Sequence, residues 1–314
     1  MNNGAVHLEE LVDAGNPKMV LGEVLHTLGG ILEDQDLHRL DQVFSDVRSL
    51  FTGRFPGFSG CNTRYHDLEH TTDTLLAMAR LIHGGIEAGR AIDRHTALLG
   101  LIGALLHDTG YIQTIEDHAG TGAKYTASHI FRSINFTRGY LLRSGFSRAD
   151  YSVCRNALLC TGIENRVGKI AFRTEEDALI GKMLGTADLL GQMSSSRYLV
   201  KLPYLYRELV EGEVLHRGTE YEFLENTEAF YRSTLDRFTE ELGGVYGFMQ
   251  EHFRARWGID RDLYLEAIEE NIAYLGSILR NHPKDYLPLL KRKKKDPSPA
   301  FALMEAGARA RATR

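Results

Sequence analysis

Apolar residues along this chain recur at spacings of three and four, and only 7 prolines interrupt them, which is helical periodicity. Leu37, Leu40, Val43, Phe44, Val47, Leu50 and Phe51 make one stripe, ended by the turn-rich segment Thr52-Gly53-Arg54-Phe55-Pro56-Gly57. A second helix is expected to start near Asp67, whose side chain can cap it. It runs through Leu75, Leu76, Met78, Ala79, Leu81 and Ile82 to a stop at Gly84-Gly85. A third opens at Asp93 and is apolar almost all round (Ala97, Leu98, Leu99, Leu101, Ile102, Ala104, Leu105, Leu106), which marks a helix in the middle of a bundle. It ends on His107-Asp108. Further helices are predicted at about 126–143, 148–160, 175–193, 198–211, 221–242, 244–255 and 261–280, and no strand is predicted, because alternating β-branched runs are almost absent. Ahead of these, Val20, Leu21, Val24, Leu25 and Leu28 form an amphipathic stripe that must pack either on this fold or on a second subunit. The expected architecture is an all-α, single-domain helical bundle without internal repeats or a splitting linker.

Composition narrows the class. With 314 residues, 43% hydrophobic and 25% charged, the chain has the make-up of a soluble globular protein and excludes disorder, collagen and coiled coil. Apolar stretches such as 98–106 fall far short of the roughly 20 residues of a membrane span. Residues 1–10 carry no basic residue ahead of an apolar run, and Cys61, Cys154 and Cys160 form no paired framework, so a reducing cytoplasm is expected. The net charge of −5 is unevenly placed: residues 291–314 hold 8 Lys/Arg against Asp296 and Glu305, leaving 29 of the 37 basic and 40 of the 42 acidic groups elsewhere. An acidic body argues against a nucleic-acid groove spread over the fold. The run Lys291-Arg292-Lys293-Lys294-Lys295 could touch phosphates or anionic lipid, with a solvated tail as the simpler expectation.

Three polar features look out of place. His107 and Asp108 come directly after the helix that is apolar all round, with no Lys or Arg nearby in sequence, and a buried carboxylate is costly unless something positive meets it. Tyr65-His66-Asp67-Leu68-Glu69-His70 sets two imidazoles four apart, a common metal-ligand spacing if the helix begins by residue 66. Thr186-Ala187-Asp188 puts an acid between Met183, Leu184 and Leu189, Leu190, although Lys182 and Gln192 show that this helix also has a wet side. Taken singly, each feature also fits an ordinary structural role.

In the order His, His-Asp, Asp, the set resembles the HD superfamily of metal-dependent phosphohydrolases. Tyr65-His66-Asp67-Leu68-Glu69-His70-Thr71 is close to the Tyr-His-Asn-x-x-His-Ala signature of class I cyclic-nucleotide phosphodiesterases. The resemblance covers about residues 35–280 and divides the chain into an N-terminal helical extension (1–34), an HD-type domain (35–285) and a basic, flexible tail (286–314). It implies His70, His107, Asp108 and Asp188 as ligands of a first divalent metal. Asp108 would bridge to a second metal completed mostly by water, and His66 would be the general acid, so that Asp108 and His66 are the catalytic pair.

The chemistry asks for these residue types on independent grounds. Two divalent cations about 3.5–4 Å apart clamp phosphoryl oxygens and lower the pKa of a bridging water, while the poor alkoxide leaving group needs a proton donor that imidazole supplies with least tuning. An imidazole and carboxylate set without thiolate suits Mn, Fe, Zn or, at a wetter second position, Mg. The implied function is metal-dependent hydrolysis of a phosphoester in a cyclic nucleotide or related nucleotide.

Beyond this set, His129 and His118 are candidates for a second metal or for hydrogen bonding around it, with Glu116 and Asp117 read as solvated loop acids. Cys160 and Glu164 stand where fuller dinuclear sites place another histidine; Cys160 reads as a small core residue and Glu164 as a helix-end acid. The purine-gripping glutamine of the phosphodiesterases has no counterpart. Tyr198, Tyr204, Tyr206, Tyr221, Phe223, Phe230 and Tyr231 could wall a pocket but are expected mostly in the core. His7, His26, His38, His83, His95, His216, His252 and His282 read as surface or helix-end residues. Two other functions remain open. One is a diiron oxygenase, which would need His129 and a further ligand; the other is a non-catalytic nucleotide-sensing or scaffolding domain, which would have no use for His66 as a proton donor.

Overall fold

The computed structural model describes residues 6–292, and the regular elements among them are helices. They are α1 (Leu8–Leu11), α2 (Pro17–Leu28), α3 (Asp34–Phe51), α4 (Leu68–Glu87), α5 (Arg94–Leu106), α6 (His129–Arg143), α7 (Arg148–Leu159), α8 (Glu175–Ser194), α9 (Tyr198–Glu211), α10 (Glu220–Glu225), α11 (Thr227–Glu240), α12 (Phe248–Trp257) and α13 (Leu263–Asn281), with short 3₁₀ turns between some of them. The extended pairing among the described residues is one antiparallel bridge, Phe58 with Thr114. No described helix is long and apolar enough to cross a membrane.

Caps set the starts of the helices that matter most. The Asp67 carboxylate accepts from the His70 N–H at the head of α4, and Asp93 accepts from His95 and Thr96 at the head of α5. The apolar positions then decide what packs on what. α4 lies in the middle, flanked by α2, α5, α8 and α12, and α5 is enclosed by α3, α4, α7 and α8. From Thr96 to Leu106 every residue of α5 is buried, and each large apolar side chain taken out of water contributes about 1.5–3 kcal/mol. The stripe on α2 packs on this fold: Val20, Val24 and Leu28 are buried in the same core, against α4.

Four helix boundaries differ from the sequence pattern. Gly84-Gly85 does not stop α4, which continues to Glu87. A Cβ on Gly84 would lie 1.8 Å from the Phe248 carbonyl oxygen, so this glycine lets the start of α12 lie directly against α4. The segment expected as a helix from 126 begins instead with a 3₁₀ turn at Gly122–Tyr125, and α6 starts at His129. The reason is Gly110, where a Cβ would come within 2.0 Å of the His129 carbonyl oxygen; the turn after α5 is pressed onto the head of α6. The span 221–242 divides at Asn226, which ends α10 and starts α11. Likewise 244–255 opens with a 3₁₀ turn at Val245–Gly247 before α12. Of the basic tail, Arg292 is tied to α13 through Asn271 Oδ1 (2.6 Å) and Glu270 Oε2 (3.0 Å); Lys293-Lys294-Lys295 and the remaining positions to 314 lie outside the described residues.

Candidate metal centre

Each of the four expected ligands is delivered by a different local device. His70 sits in the first turn of α4, its height set by the Asp67 cap, and Asp67 is itself held by Lys201 Nζ at 2.7 Å. His107 is the residue on which the buried helix α5 ends, and Asp108 comes next, at the start of a 3₁₀ turn. Asp188 lies in the middle of α8, the helix packed on α4 and α5. His66 precedes the α4 cap, so the helix does not begin by residue 66. Its ring still comes within 5.8 Å, centroid to centroid, of the His70 ring, because the chain before the cap folds back over the first turn.

The donor atoms converge. His70 Nε2 lies 3.1 Å from His107 Nε2, 3.1 Å from Asp108 Oδ2 and 3.2 Å from Asp188 Oδ1. His107 Nε2 lies 3.3 Å from Asp108 Oδ2 and 3.6 Å from Asp188 Oδ1. Ligands about 2.1 Å from one ion stand about 3.0–3.4 Å from each other, so the His70, His107 and Asp108 atoms have the spacing of a coordination shell, and Asp188 Oδ1 approaches the two imidazoles from α8. His70, His107 and Asp108 are 3%, 2% and 2% exposed and form a group that could hold a metal ion.

Two further observations fit a cation to this shell. Asp108 Oδ2 is buried against the two imidazole nitrogens, 3.1 Å from His70 Nε2 and 3.3 Å from His107 Nε2, and makes no well-aligned hydrogen bond among the described residues, so its charge has to be met there by an imidazole proton or by a cation. His107 Nδ1–H donates to the Ala104 carbonyl at 2.7 Å, which leaves the Nε2 lone pair facing the centre. His129 has the same polarity: Nδ1–H donates to the Thr126 carbonyl at 2.6 Å, and Nε2 lies 3.9 Å from the other Asp108 oxygen, Oδ1. Asp108 therefore turns one oxygen to His70 and His107 and the second toward His129.

Without a cation the same groups share protons. Burial opposes charge on His70, but Asp108 and Asp188 outweigh it and raise the imidazole to about 10. His107 is likewise raised against burial, mainly by Asp108, and burial of Asp108 is overridden by His107 and His70, which hold it well below the usual carboxylate range. Burial lowers His129 and outweighs the more distant Asp108 carboxylate.

The structure adds residues that carry no mark in the sequence. His66 Nδ1–H donates to Glu208 Oε2 at 2.7 Å, and Glu208 Oε1 accepts from the Arg64 and Tyr65 backbone N–H groups at 2.7 Å each. Burial works against the Glu208 charge, yet the His66 and backbone hydrogen bonds win and hold its carboxyl below the ordinary value. Glu208 comes from α9, 142 residues away in sequence, and one acid among the polar residues of a surface helix carries no local signal. Tyr111, in the 3₁₀ turn after Asp108, stacks between two imidazoles, 4.3 Å from the His66 ring and 4.7 Å from the His129 ring.

Other expectations land elsewhere. His118 is exposed on the loop between Thr109–Tyr111 and Gly122–Tyr125 and joins nothing at the centre, because its neighbour Asp117 turns inward and ties the loop to Lys124 (2.5 Å) and Tyr125. Cys160 packs in the core against Gly181, with burial pushing its thiol up to about 12, and Glu164 is exposed. The aromatic residues mostly pack on the protein itself: Tyr198 and Tyr231 are buried, Tyr206 meets Phe223, and Tyr221 meets Tyr286. His252 is not a surface residue; it is fully buried beside His83, since the α12 face that carries it is the one docked on α4.

No known family model matches this chain, and searches of curated proteins and of solved structures returned no match.

Proposed function

We propose that this chain is a metal-dependent phosphohydrolase of the HD type that cleaves a phosphodiester, with cyclic nucleotides and related nucleotides as the substrate class to test first. The observation that carries the reading is the meeting of four donor atoms from His70, His107, Asp108 and Asp188 beside an imidazole, His66, that is separately held by Glu208. When bound there, a divalent cation supplies Lewis-acid polarisation of phosphoryl oxygen and makes water more acidic. Asp108 and Asp188 give the centre its negative charge, and the Ala104 carbonyl keeps His107 in the ligating tautomer. In the hydrolysis, a water oxygen bonds to phosphorus and releases a proton to solvent as the ester P–O bond breaks, while a proton from His66 Nε2 goes to the departing oxygen and is replaced from solvent. Glu208 orients His66 through Nδ1–H. Tyr111 keeps the His66 ring parallel to its own, with its hydroxyl 3.5 Å from Nε2.

An oriented proton donor supports an enzyme over a sensing or scaffolding module, which has no use for one. The oxygenase reading needs a further protein ligand, and Cys160, the residue at the relevant place in sequence, is packed into the core. The test is metal analysis of the purified protein, followed by hydrolysis of bis-p-nitrophenyl phosphate with Mn, Fe, Zn and Mg added in turn. Turnover lost in chelator and restored by one metal is the expected result. Tightly bound metal without turnover on this ester or on a nucleotide panel would overturn the hydrolase, and absence of metal would overturn the ligand set.

A further inference from the structure

About 20 Å along α4 from His70, at 1.5 Å of rise per residue, the helix meets α12 in a second cluster of polar side chains, one that the hydrolysis does not use. His83 of α4 stands against His252 of α12, ring centroids 4.9 Å apart. His252 is 0% exposed, and neither of its nitrogens makes a hydrogen bond among the described residues. Nor do the buried Nδ1 of His83, Nε and Nη2 of Arg80, and Nε of Arg256. Such groups are costly and ordinarily rare, and here they are concentrated where one helix docks on another.

The charges around the pair are lopsided. On α4, Arg80 donates to the Tyr264 hydroxyl of α13 at 3.1 Å and otherwise faces the rings of Phe253, Trp257 and Tyr264 at 5.5–5.8 Å. On α12, Arg256 lies over the Trp257 ring at 4.9 Å and 3.6 Å from Glu23 of α2. Glu87 of α4 is half-exposed and 4.0 Å from His83 Nε2. On α13, burial raises the Tyr264 hydroxyl and raises Asp262 to about 7, so Asp262 loses charge in the range where imidazole gains it. No carboxylate among the described residues forms an ion pair with His252, and burial followed by Arg80 holds it well below the ordinary imidazole value. An imidazolium there would stand in the field of two guanidiniums with no acceptor in contact.

Packing decides where relief can come. At its start α12 is pressed on α4, since a Cβ on Gly84 would lie 1.8 Å from the Phe248 carbonyl oxygen. At its end it stops on Gly258, which takes the left-handed φ of 68° and turns the chain toward α13. A buried charge is relieved when water reaches it, and the shortest route is movement of the half of α12 that carries His252, Phe253 and Trp257.

We propose that His83 and His252 form an acid-sensitive latch: a proton taken up by the pair releases the C-terminal half of α12 from α4 while the rest of the bundle stays folded. The latch is independent of the candidate metal centre and of the reaction assigned to it.

Trp257 is the only tryptophan of the chain and lies 5.3 Å from the His252 ring, so its emission reports on this contact. The experiment takes the full chain from about pH 7.5 to about 4.5, across the ordinary imidazole value, and records tryptophan emission, far-ultraviolet circular dichroism and amide hydrogen exchange together. A reversible red shift of the emission is expected below about pH 6.5, before helix signal is lost. Protection factors over residues 253–257 should fall at least about tenfold relative to those of α5. His252→Leu is expected to abolish the shift. Arg256→Gln removes one guanidinium from the partly exposed side of the cluster and is expected to move the midpoint to higher pH, which keeps the test decisive if His252→Leu fails to fold. Unchanged emission, an emission change without loss of protection, or a single transition in which emission and helix signal are lost together would overturn the latch. So would a shift that survives His252→Leu or a midpoint that Arg256→Gln leaves in place.

Discussion

Helix α4 carries two buried imidazole pairs of nearly the same shape. His70 meets His107 at 5.1 Å between ring centroids and 73° between planes, and His83 meets His252 at 4.9 Å and 89°. Their surroundings are opposite. Asp108 and Asp188 face the first pair and raise His70 and His107. The second pair has Arg80 and Arg256 about it, Arg256 itself lying 3.6 Å from Glu23, and the half-exposed Glu87 stands 4.0 Å from His83 Nε2. Burial, then Arg80 and His83, push His252 well below the ordinary imidazole value, and burial lowers His83. Both nitrogens of His252 and Nδ1 of His83 make no hydrogen bond among the described residues. Ring geometry is thus no guide to chemistry: carboxylates make one pair a cradle for positive charge, while burial, reinforced by the guanidiniums, makes the other a place that refuses it.

The sharpest way to break this contrast is to remove the charge from the first pair. Asp108→Ala is expected to empty the centre of metal and to lower turnover by about 10³-fold or more, read by metal analysis and phosphodiester hydrolysis; retention of metal would mean that Asp108 is not a ligand. Chelation alone is the next largest effect. A metal at a thousand times its Kd stabilises the fold by about 4 kcal/mol, so stripped protein should melt several degrees lower. Because the two carboxylates raise His70 to about 10, a cation must displace a proton, and metal affinity should therefore rise between about pH 6 and pH 8.

His66→Asn is expected to lower kcat by about 10²–10³-fold with metal content unchanged. Glu208→Gln, which keeps the shape of the contact and removes its charge, should cost about 10–100-fold and should also move the pH profile of kcat; an unmoved profile would make Glu208 merely structural.

The smallest effect falls on the second pair. His83 and His252 are held below the unfolded imidazole value of about 6.5, so the folded state binds fewer protons than the unfolded one once the pH drops under that value. Their contribution is present above about pH 6.5 and is lost below it, by up to about 1.4 kcal/mol per pH unit for each imidazole. Denaturant melts at about pH 7.5 and 5.5 should show the loss, and His252→Leu should reduce it. An identical acid limb in the variant would assign the proton uptake to other groups.

The places of His70, His107, Asp108 and Asp188, which the fold brings together, are legible in the sequence because strong apolar patterns surround each of them. α5 leaves no wet side, so the two residues after it, His107-Asp108, must enter the interior. Asp67 marks the start of α4 and so the place of His70. Glu208 is not legible, because its role rests on one contact to a residue 142 positions away. Nor is His252, which lies in a short helix of mixed polarity whose buried face is set only by docking on α4. The Gly84-Gly85 pair reads as a stop because a glycine that ends a helix and one that admits a neighbouring backbone look alike in sequence.

Sequence by itself determined that the chain is helical, where most helices lie, and which polar residues are carried inside with them. Periodicity and capping are local properties, and burial of an apolar face is their direct consequence. Only the tertiary structure decided which faces meet: that Asp188 closes on His70, that Glu208 reaches His66, and that His83 finds His252 near Arg80 and Arg256. Those contacts depend on how whole helices dock, and their electrostatic consequences come from charges far apart along the chain.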